Sequence, residues 1–153
     1  MPETTLAAPS LTHGSLVVRL VMRPMTRVFN PLLRRFAGRK HFTMAAEVHH
    51  RGRVSGRSYV TPASARIAGG VCWVPLTFGT GSDWCRNVRA ADGCKVRWEG
   101  VDYVLAHPVV VFRAAALAAA GGAFKRRERL MLRVIGIRQF LRLDIADVPD
   151  PEE

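Results

Sequence analysis

Two short segments of this chain carry the residue types that could bind a charged ligand. The first is a basic glycine turn, residues 52–57, with the sequence GRVSGR. Guanidinium groups and exposed backbone N–H groups on a tight turn can hold a phosphate or a carboxylate. Taken alone, such a cluster is more commonly a basic hairpin in water, since charged side chains usually lie at the surface.

The second segment, residues 79–87, has the sequence GTGSDWCRN. Its glycines lead into a predicted helix capped by Ser82 or Asp83, whose first N–H groups lie at the positive end of the helix dipole. The segment lacks the lysine of a P-loop and does not match the dinucleotide-binding fingerprint. Trp84 could form the wall of a ring pocket or pack in the core. Asn87 could bind a ligand or cap the preceding loop.

Charge and composition narrow the class of protein and of partner. The chain has 153 residues, which suits one domain, and 48% of them are hydrophobic, which argues against disorder. The formal net charge is +11, although acidic residues concentrate in the last ten positions. This field favours an anionic partner: a phosphorylated cofactor, an anionic membrane or a nucleic acid. No nucleic-acid-binding motif is present, so we expect no nucleic acid.

Other site chemistries have weaker support. His49 and His50 are adjacent, so in a strand they point to opposite faces and cannot chelate one metal together, and we predict no metal site. The chain contains no GxSxG motif and no persuasive pair of carboxylates. Cys85 falls in the first turn of the predicted helix, where a thiol could be activated, but packing is the more common role. Three cysteines without a CxxC pair favour a reducing cytoplasm over a disulfide framework.

The N-terminal part differs from the rest in its pattern. Residues 1–13 are expected to be a flexible leader without the features of a signal peptide. Residues 14–40 are predicted to form basic helices, in which Arg19, Arg23 and Arg27 make a stripe along one face. These helices could pack on the domain, or they could anchor the protein on an anionic membrane. Packing is the more common role of such helices, and no run of the chain reaches the roughly twenty apolar residues of a membrane span.

Residues 41–144 are predicted to be one mainly β domain of the α+β class, followed by an acidic tail at 145–153. The predicted strands are 42–50, 58–67, 71–78, 94–98, 101–112 and 137–143, and the predicted helices are 82–90, 113–120 and 124–135. Hairpin connections make neighbouring strands antiparallel, and about six twisted antiparallel strands tend to close into a small barrel. Pro62 should place its strand at an edge or a bulge.

The combination of motifs resembles the deazaflavin-dependent nitroreductase family, also described as nitroreductase/quinone reductase proteins. The resemblance rests on HHRGRVSGR at 49–57, Thr61-Pro62 and GTGSDWCRNV at 79–88, and it extends over about residues 42–143. The GRxSGR turn and the GSDWxRN segment at this separation are far more specific together than either is alone.

This resemblance implies a split β-barrel like that of the flavin-binding pyridoxamine-phosphate oxidases. It also implies a cytoplasmic oxidoreductase that binds reduced coenzyme F420 and transfers hydride to a quinone, a nitroaromatic compound or a similar electron-poor acceptor. Split barrels often form homodimers. The alternative is a split-barrel protein that uses FMN or binds its cofactor without turnover, and either form could associate with the inner face of the plasma membrane.

The resemblance also assigns site residues. The basic turn would hold the phosphate and the acidic tail of the cofactor, and the second segment would line the ring. The cofactor-binding residues implied are Arg53, Val54, Ser55, Gly56, Arg57, Thr61, Pro62, Thr77, Phe78, Gly79, Thr80, Gly81, Trp84, Asn87 and Val88. A proton for the acceptor would come from solvent, Tyr59 or His50.

Overall fold

The computed structural model of the protein describes residues 45–147. The predicted leader at 1–13, the basic helices at 14–40 and residues 148–153 lie outside this range. Within it, the strands are β1 Ala46–Arg51, β2 Ser58–Ala63, β3 Arg66–Ala68, β4 Val71–Pro75, β5 Gly93–Trp98, β6 Val101–Phe112 and β7 Gln139–Asp147. The helices are α1 Asp83–Ala90, α2 Arg113–Ala119 and α3 Arg126–Ile135, and short 3-10 turns occupy Gly79–Gly81 and Gly121–Ala123.

The seven strands form one antiparallel sheet with the order β2-β1-β5-β6-β7-β4-β3. The two edge strands, β2 and β3, are consecutive in the chain, and only Ser64 and Ala65 separate them. Three Cα–Cα steps span at most about 11 Å, whereas the outer strands of a flat seven-stranded sheet would lie roughly 29 Å apart. The sheet must therefore curl until its two edges are neighbours.

The core confirms this curvature. Val48 of β1 and Val74 of β4 belong to one buried cluster, although three strands lie between β1 and β4 in the sheet. Helix α1 contributes Cys85 and Val88 to the same cluster, and both are fully buried. Burial of each such valine stabilises the fold by roughly 1.5–3 kcal/mol. The inner surface of the curled sheet is thus filled, and α1 is held against it.

A second cluster fixes helices α2 and α3 on another part of the sheet. Phe140 of β7 is fully buried there, and its ring meets Phe124 edge to face at 5.5 Å between centroids. Ala116 of α2 and Leu132 of α3 complete the contact. None of the helices within residues 45–147 has the length and apolar character needed to cross a membrane.

The prediction of a mainly β, split-barrel-like α+β fold is confirmed, with three corrections to its elements. The predicted strand at 58–67 is two strands, because the chain leaves one edge of the sheet at Ser64 and joins the other edge at Arg66. This break raises the strand number from six to seven. Pro62 lies in the edge strand β2, as predicted.

The other two corrections concern strand ends. Strand β4 stops at Pro75 and not at Phe78, and a turn closes where the Gly79 N–H donates to the Leu76 carbonyl. Strand β7 continues to Asp147, because Ile145 still pairs with Leu105. Residues 145–147 therefore belong to the sheet and not to the acidic tail.

Candidate ligand-binding site

A cavity of about 800 Å³ lies between the β1–β2 turn and helix α1. This volume falls within the range of small-molecule sites. Strands β1 and β2 supply one wall, the basic turn the rim, and α1 the opposite wall. The lining residues are His50, Gly52, Arg53, Val54, Ser55, Ser58, Tyr59, Val60, Thr61, Asp83, Trp84 and Asn87.

The β1–β2 turn is tight because of two glycines that act for different reasons. The Gly52 N–H donates to the Arg57 carbonyl at 2.8 Å, and the Gly56 N–H donates to the Gly52 carbonyl at 2.9 Å. Gly56 has φ +68°, a value that side chains disfavour. A Cβ on Gly52 would lie 2.4 Å from Ser55 Oγ and 3.0 Å from the Tyr59 ring, so Gly52 is required for space.

The turn presents unused hydrogen-bond donors and positive charge. Among residues 45–147, no acceptor is bonded to the N–H of Val54 or of Ser55. Arg51 and Arg57 are exposed, and neither forms an ion pair with another described residue. Free N–H groups on a turn beside guanidinium groups favour an anion. The Val54 side chain is 93% exposed and contributes no packing to the turn.

Asn87 joins the turn to helix α1. It is the buried polar residue of the described chain, 5% exposed, and both ends of its amide bind neighbouring protein groups. Its Oδ1 accepts from the Arg53 backbone N–H at 3.1 Å and from Arg53 Nη1 at 2.8 Å. Its Nδ2 donates to His50 Nδ1 at 3.1 Å. Asn87 therefore positions Arg53 and His50 and has little capacity left for a ligand.

Arg53 also contacts an exposed carboxylate. Its guanidinium nitrogens lie 3.2 and 3.3 Å from Asp83 Oδ1, and the Asp83 side chain is 84% exposed. Exposed ion pairs contribute little free energy. An anionic ligand could therefore take the place of Asp83 on Arg53 at small cost, while Asn87 keeps the guanidinium in position.

The hydrogen bonds of His50 define its tautomer. Because Asn87 Nδ2 can only donate, His50 Nδ1 accepts, and the proton lies on Nε2, which donates to Thr61 Oγ1 at 2.9 Å. Burial lowers the pKa of His50, and neighbouring His49 adds to this effect against an opposing contribution from Asp83. His50 is thus held neutral with both ring nitrogens engaged, which is unfavourable for a proton donor.

Tyr59 is placed differently. Its ring stacks on His50 with 5.7 Å between centroids and 21° between the planes. Its hydroxyl lies 3.3 Å from Ser55 Oγ, and the residue is 44% exposed. The two rings form a flat wall of the cavity, and the Tyr59 hydroxyl is accessible from it.

The structure brings together at this cavity six of the fifteen residues that the resemblance assigned to the cofactor. Those lining the cavity are Arg53, Val54, Ser55, Thr61, Trp84 and Asn87, together with both suggested proton donors. Gly56 and Arg57 lie on the same turn as Arg53 but do not line the cavity. Pro62 and the segment 77–81 lie outside the cavity.

Val88 does not line the cavity, although the resemblance assigned it to the cofactor. It is fully buried in the core beside Cys85, so its side chain cannot contact a ligand. Cys85 is also a core residue, and burial raises the pKa of its thiol, so the sequence-based alternative of an activated thiol is not favoured. Within residues 45–147, no three His, Cys, Asp or Glu side chains converge as metal ligands would.

Sequence reasoning missed two contributions to the site. Asp83 was interpreted only as a helix cap, but its carboxylate pairs with Arg53, and opposite charge was the one signal available. Gly52 was interpreted only as a flexible turn residue, whereas it makes room for Ser55 and Tyr59. Ser58 and Val60 also line the cavity, and the strand pattern gave no signal for either residue.

Comparison with known proteins places the chain by fold. It is similar to the crystal structure of a protein of unknown function from Agrobacterium tumefaciens str. C58, with a TM-score of 0.51 and 15% sequence identity. The match covers 93% of this chain and 60% of that protein, so this chain spans less than two thirds of its length. No protein-family model and no curated protein matches the chain.

Proposed function

We propose that this protein is an oxidoreductase that binds reduced coenzyme F420 in the cavity and acts on a quinone, a nitroaromatic compound or a similar electron-poor acceptor. One observation carries the proposal: Arg53 of the first motif and Asn87 of the second meet at 2.8 Å on the wall of one cavity. The family resemblance rests on the same two motifs. They are distant in sequence, so their meeting at one cavity is what a shared ligand requires.

The residues present fit the two ends of such a cofactor. The free N–H groups of Val54 and Ser55, with Arg57 beside them, would hold the phosphate. Arg51 and Arg57 leave positive charge at the rim for a polyanionic tail. The stacked rings of His50 and Tyr59, with Trp84 across the cavity, supply flat walls for a ring system.

The reduced deazaflavin, when bound, supplies the hydride, and the protein supplies binding, orientation and exclusion of water. His50 keeps the Thr61 hydroxyl in place through its Nε2–H. Tyr59 is the better candidate for a proton donor to the acceptor, because its hydroxyl is accessible and its hydrogen bond to Ser55 Oγ is long. The cytoplasmic location remains a prediction from the cysteine pattern, and the homodimer remains a prediction from the resemblance.

The first test is a fluorescence titration with coenzyme F420, with FMN titrated in parallel. We expect tight binding of F420 and weak binding of FMN. Replacing Arg53 and Arg57 with alanine should reduce F420 affinity by at least about tenfold, because charge-assisted hydrogen bonds are lost. Arg86→Ala/Arg89→Ala, which removes two exposed arginines from α1, is the matched control and should bind as the parent does.

The outcomes separate the alternatives. Equal affinity in the Arg53/Arg57 variant and the parent would remove the turn from the site. A preference for FMN would assign the chemistry to a flavin. Binding of F420 without oxidation of its reduced form by any quinone or nitroaromatic acceptor would identify a binding protein without turnover.

A further inference from the structure

Helix α3 exposes apolar side chains on its outer face. Leu130 is 62% exposed, Met131 53% and Val134 72%. Leu130 and Val134 lie four residues apart, so they are neighbours on the helix surface. This stripe covers the middle of the outer face, where a helix on a water-exposed surface would normally carry polar residues.

The orientation of α3 is fixed, so these side chains cannot turn inward. Leu132 is buried in the second core cluster, and Ile135 packs against it. Glu128, on the same inner face, pairs with Arg66 of β3. Gly136, with φ +81°, ends the helix, and the Ile137 N–H then bonds to the Leu132 carbonyl.

Arginine flanks the apolar stripe on both sides. Arg126 and Arg133 lie on one side of Leu130 and Val134, and Arg127 lies on the other side, between Val134 and Met131 around the helix. All three arginines are exposed. The one acidic residue of α3, Glu128, is on the inner face and already paired. The outer face of α3 itself therefore carries apolar side chains and arginines and no acidic residue.

Two further exposed residues lie close to the C-terminal end of α3. Phe112 at the end of β6 is 71% exposed and pairs in the sheet with Gln139, close to the end of α3. Arg138, next to Gln139, is exposed as well. A large aromatic side chain and a further arginine thus lie beside the C-terminal end of the helix.

We infer that the outer face of α3 docks on an anionic lipid surface. An apolar stripe between arginines is what an interfacial helix presents: the apolar side chains enter the acyl boundary, and the arginines meet lipid phosphates. A symmetric contact with a second copy would place the same arginines against each other. The ten-residue helix is too short to span a bilayer, so it would lie in the plane of the interface. The inference does not depend on the cofactor proposed above.

The test uses the full chain and co-sedimentation with vesicles of phosphatidylcholine, with and without phosphatidylglycerol. We expect binding only to vesicles with phosphatidylglycerol, weakened by salt. Leu130→Gln/Val134→Gln keeps every charge and should lower the partition coefficient at least about tenfold. Arg126→Gln/Arg133→Gln keeps the apolar stripe and should lower it by roughly tenfold as well.

Matched controls remove equivalent groups elsewhere. Arg86→Gln/Arg89→Gln takes two charges from α1, and Val101→Thr/Val104→Thr takes two exposed apolar side chains from β6. Both should bind like the parent, as should Arg23→Gln/Arg27→Gln in the predicted N-terminal helices. Circular dichroism spectra of every variant, compared with that of the parent, check that the variants are folded.

Three results would overturn the inference. In the first, the α3 variants still bind the vesicles and Arg23→Gln/Arg27→Gln does not. This result would assign the membrane contact to the N-terminal helices. Another is equal binding to both kinds of vesicle. In the third, the parent does not bind vesicles but forms a dimer, and Leu130→Gln/Val134→Gln is a monomer. This result would identify a second copy of the chain as the partner of the α3 face.

Discussion

At the residue scale, the site is organised by groups that bind other protein groups. Asn87 uses both the oxygen and the nitrogen of its side-chain amide to connect the basic turn, His50 and α1. The sequence could identify Asn87 as a site residue, but a spacing pattern does not tell whether an amide faces a ligand or a neighbouring side chain. The burial of Val88 was predictable: Cys85 and Val88 are three residues apart, so they share one face of α1, and both are apolar.

Gly52 provides a test of the turn. Gly52→Ala should weaken ligand binding and lower the unfolding temperature, because its Cβ would overlap Ser55 Oγ. The double variant Gly52→Ala/Ser55→Ala removes the atom at 2.4 Å and should recover part of the stability. Thermal unfolding of both variants, with Ser55→Ala alone as the control, measures the coupling. Additive losses of stability would show that the two positions do not compete for space.

At the element scale, one ion pair links helix α3 to the edge strand β3. Arg66 donates to Glu128, and the Lys125 N–H donates to the other carboxylate oxygen at 2.7 Å, so one side chain both caps α3 and attaches it. The sequence predicted a helix at 124–135, because its pattern depends on local chemistry. It could not predict that the strand at 58–67 divides, because that break is imposed by the closure of the sheet.

Glu128→Gln tests this attachment through its pH dependence. Burial opposes ionisation of Glu128, but the Lys125 N–H and the Arg66 guanidinium outweigh it and lower the pKa of the carboxyl. The stabilisation is therefore complete above the ordinary pKa of 4.5 and is lost as the pH falls through the folded-state value. We expect Glu128→Gln to be less stable than the parent by about 1 kcal/mol at pH 7.

The difference in unfolding temperature between the parent and Glu128→Gln should narrow as the pH falls below 4.5. Glu99→Gln, at a residue without an ion-pair partner in the described part of the chain, is the control and should track the parent at every pH. A gap between Glu128→Gln and the parent that stays constant down to pH 3 would contradict the assignment.

At the scale of the whole molecule, the curled sheet encloses all three cysteines, which are free thiols. Burial raises the pKa of Cys72 to about 12, with a contribution from nearby Cys94, and burial alone raises that of Cys94 to about 12. The composition predicted free thiols, but only the closed sheet explains why they are protected.

Thiol labelling should therefore report opening of the fold. At pH 8 we expect the native protein to react with a disulfide reagent far more slowly than a free cysteine does, because Cys72 and Cys85 are buried, Cys94 is half-buried, and burial raises the pKa of all three thiols. In denaturant, all three cysteines of the chain should react. A native thiol that reacts at the rate of free cysteine would place that residue at the surface.

The fold was largely predictable, because hairpin turns and alternating strands are local signals. The site was only partly predictable. The two motifs marked its opposite walls, whereas the exclusion of Pro62 and of the segment 77–81 from the cavity depends on how the sheet curls. Local sequence chemistry determines elements, and closure of the sheet determines which of them meet.

The order of the strands also has a consequence for synthesis of the protein on the ribosome. Among the strands of residues 45–147, β7 is made last, yet it lies between β6 and β4 in the finished sheet. Until residue 147 has left the exit tunnel, the hairpin β3–β4 has no strand to join on its inner side, and the buried cluster stays open to water. The ribosome thus synthesises the basic turn early, and it synthesises β7, which completes the described sheet, after the other six strands. A nascent chain that stops before β7 would carry both sequence motifs and still lack the closed sheet that holds them together.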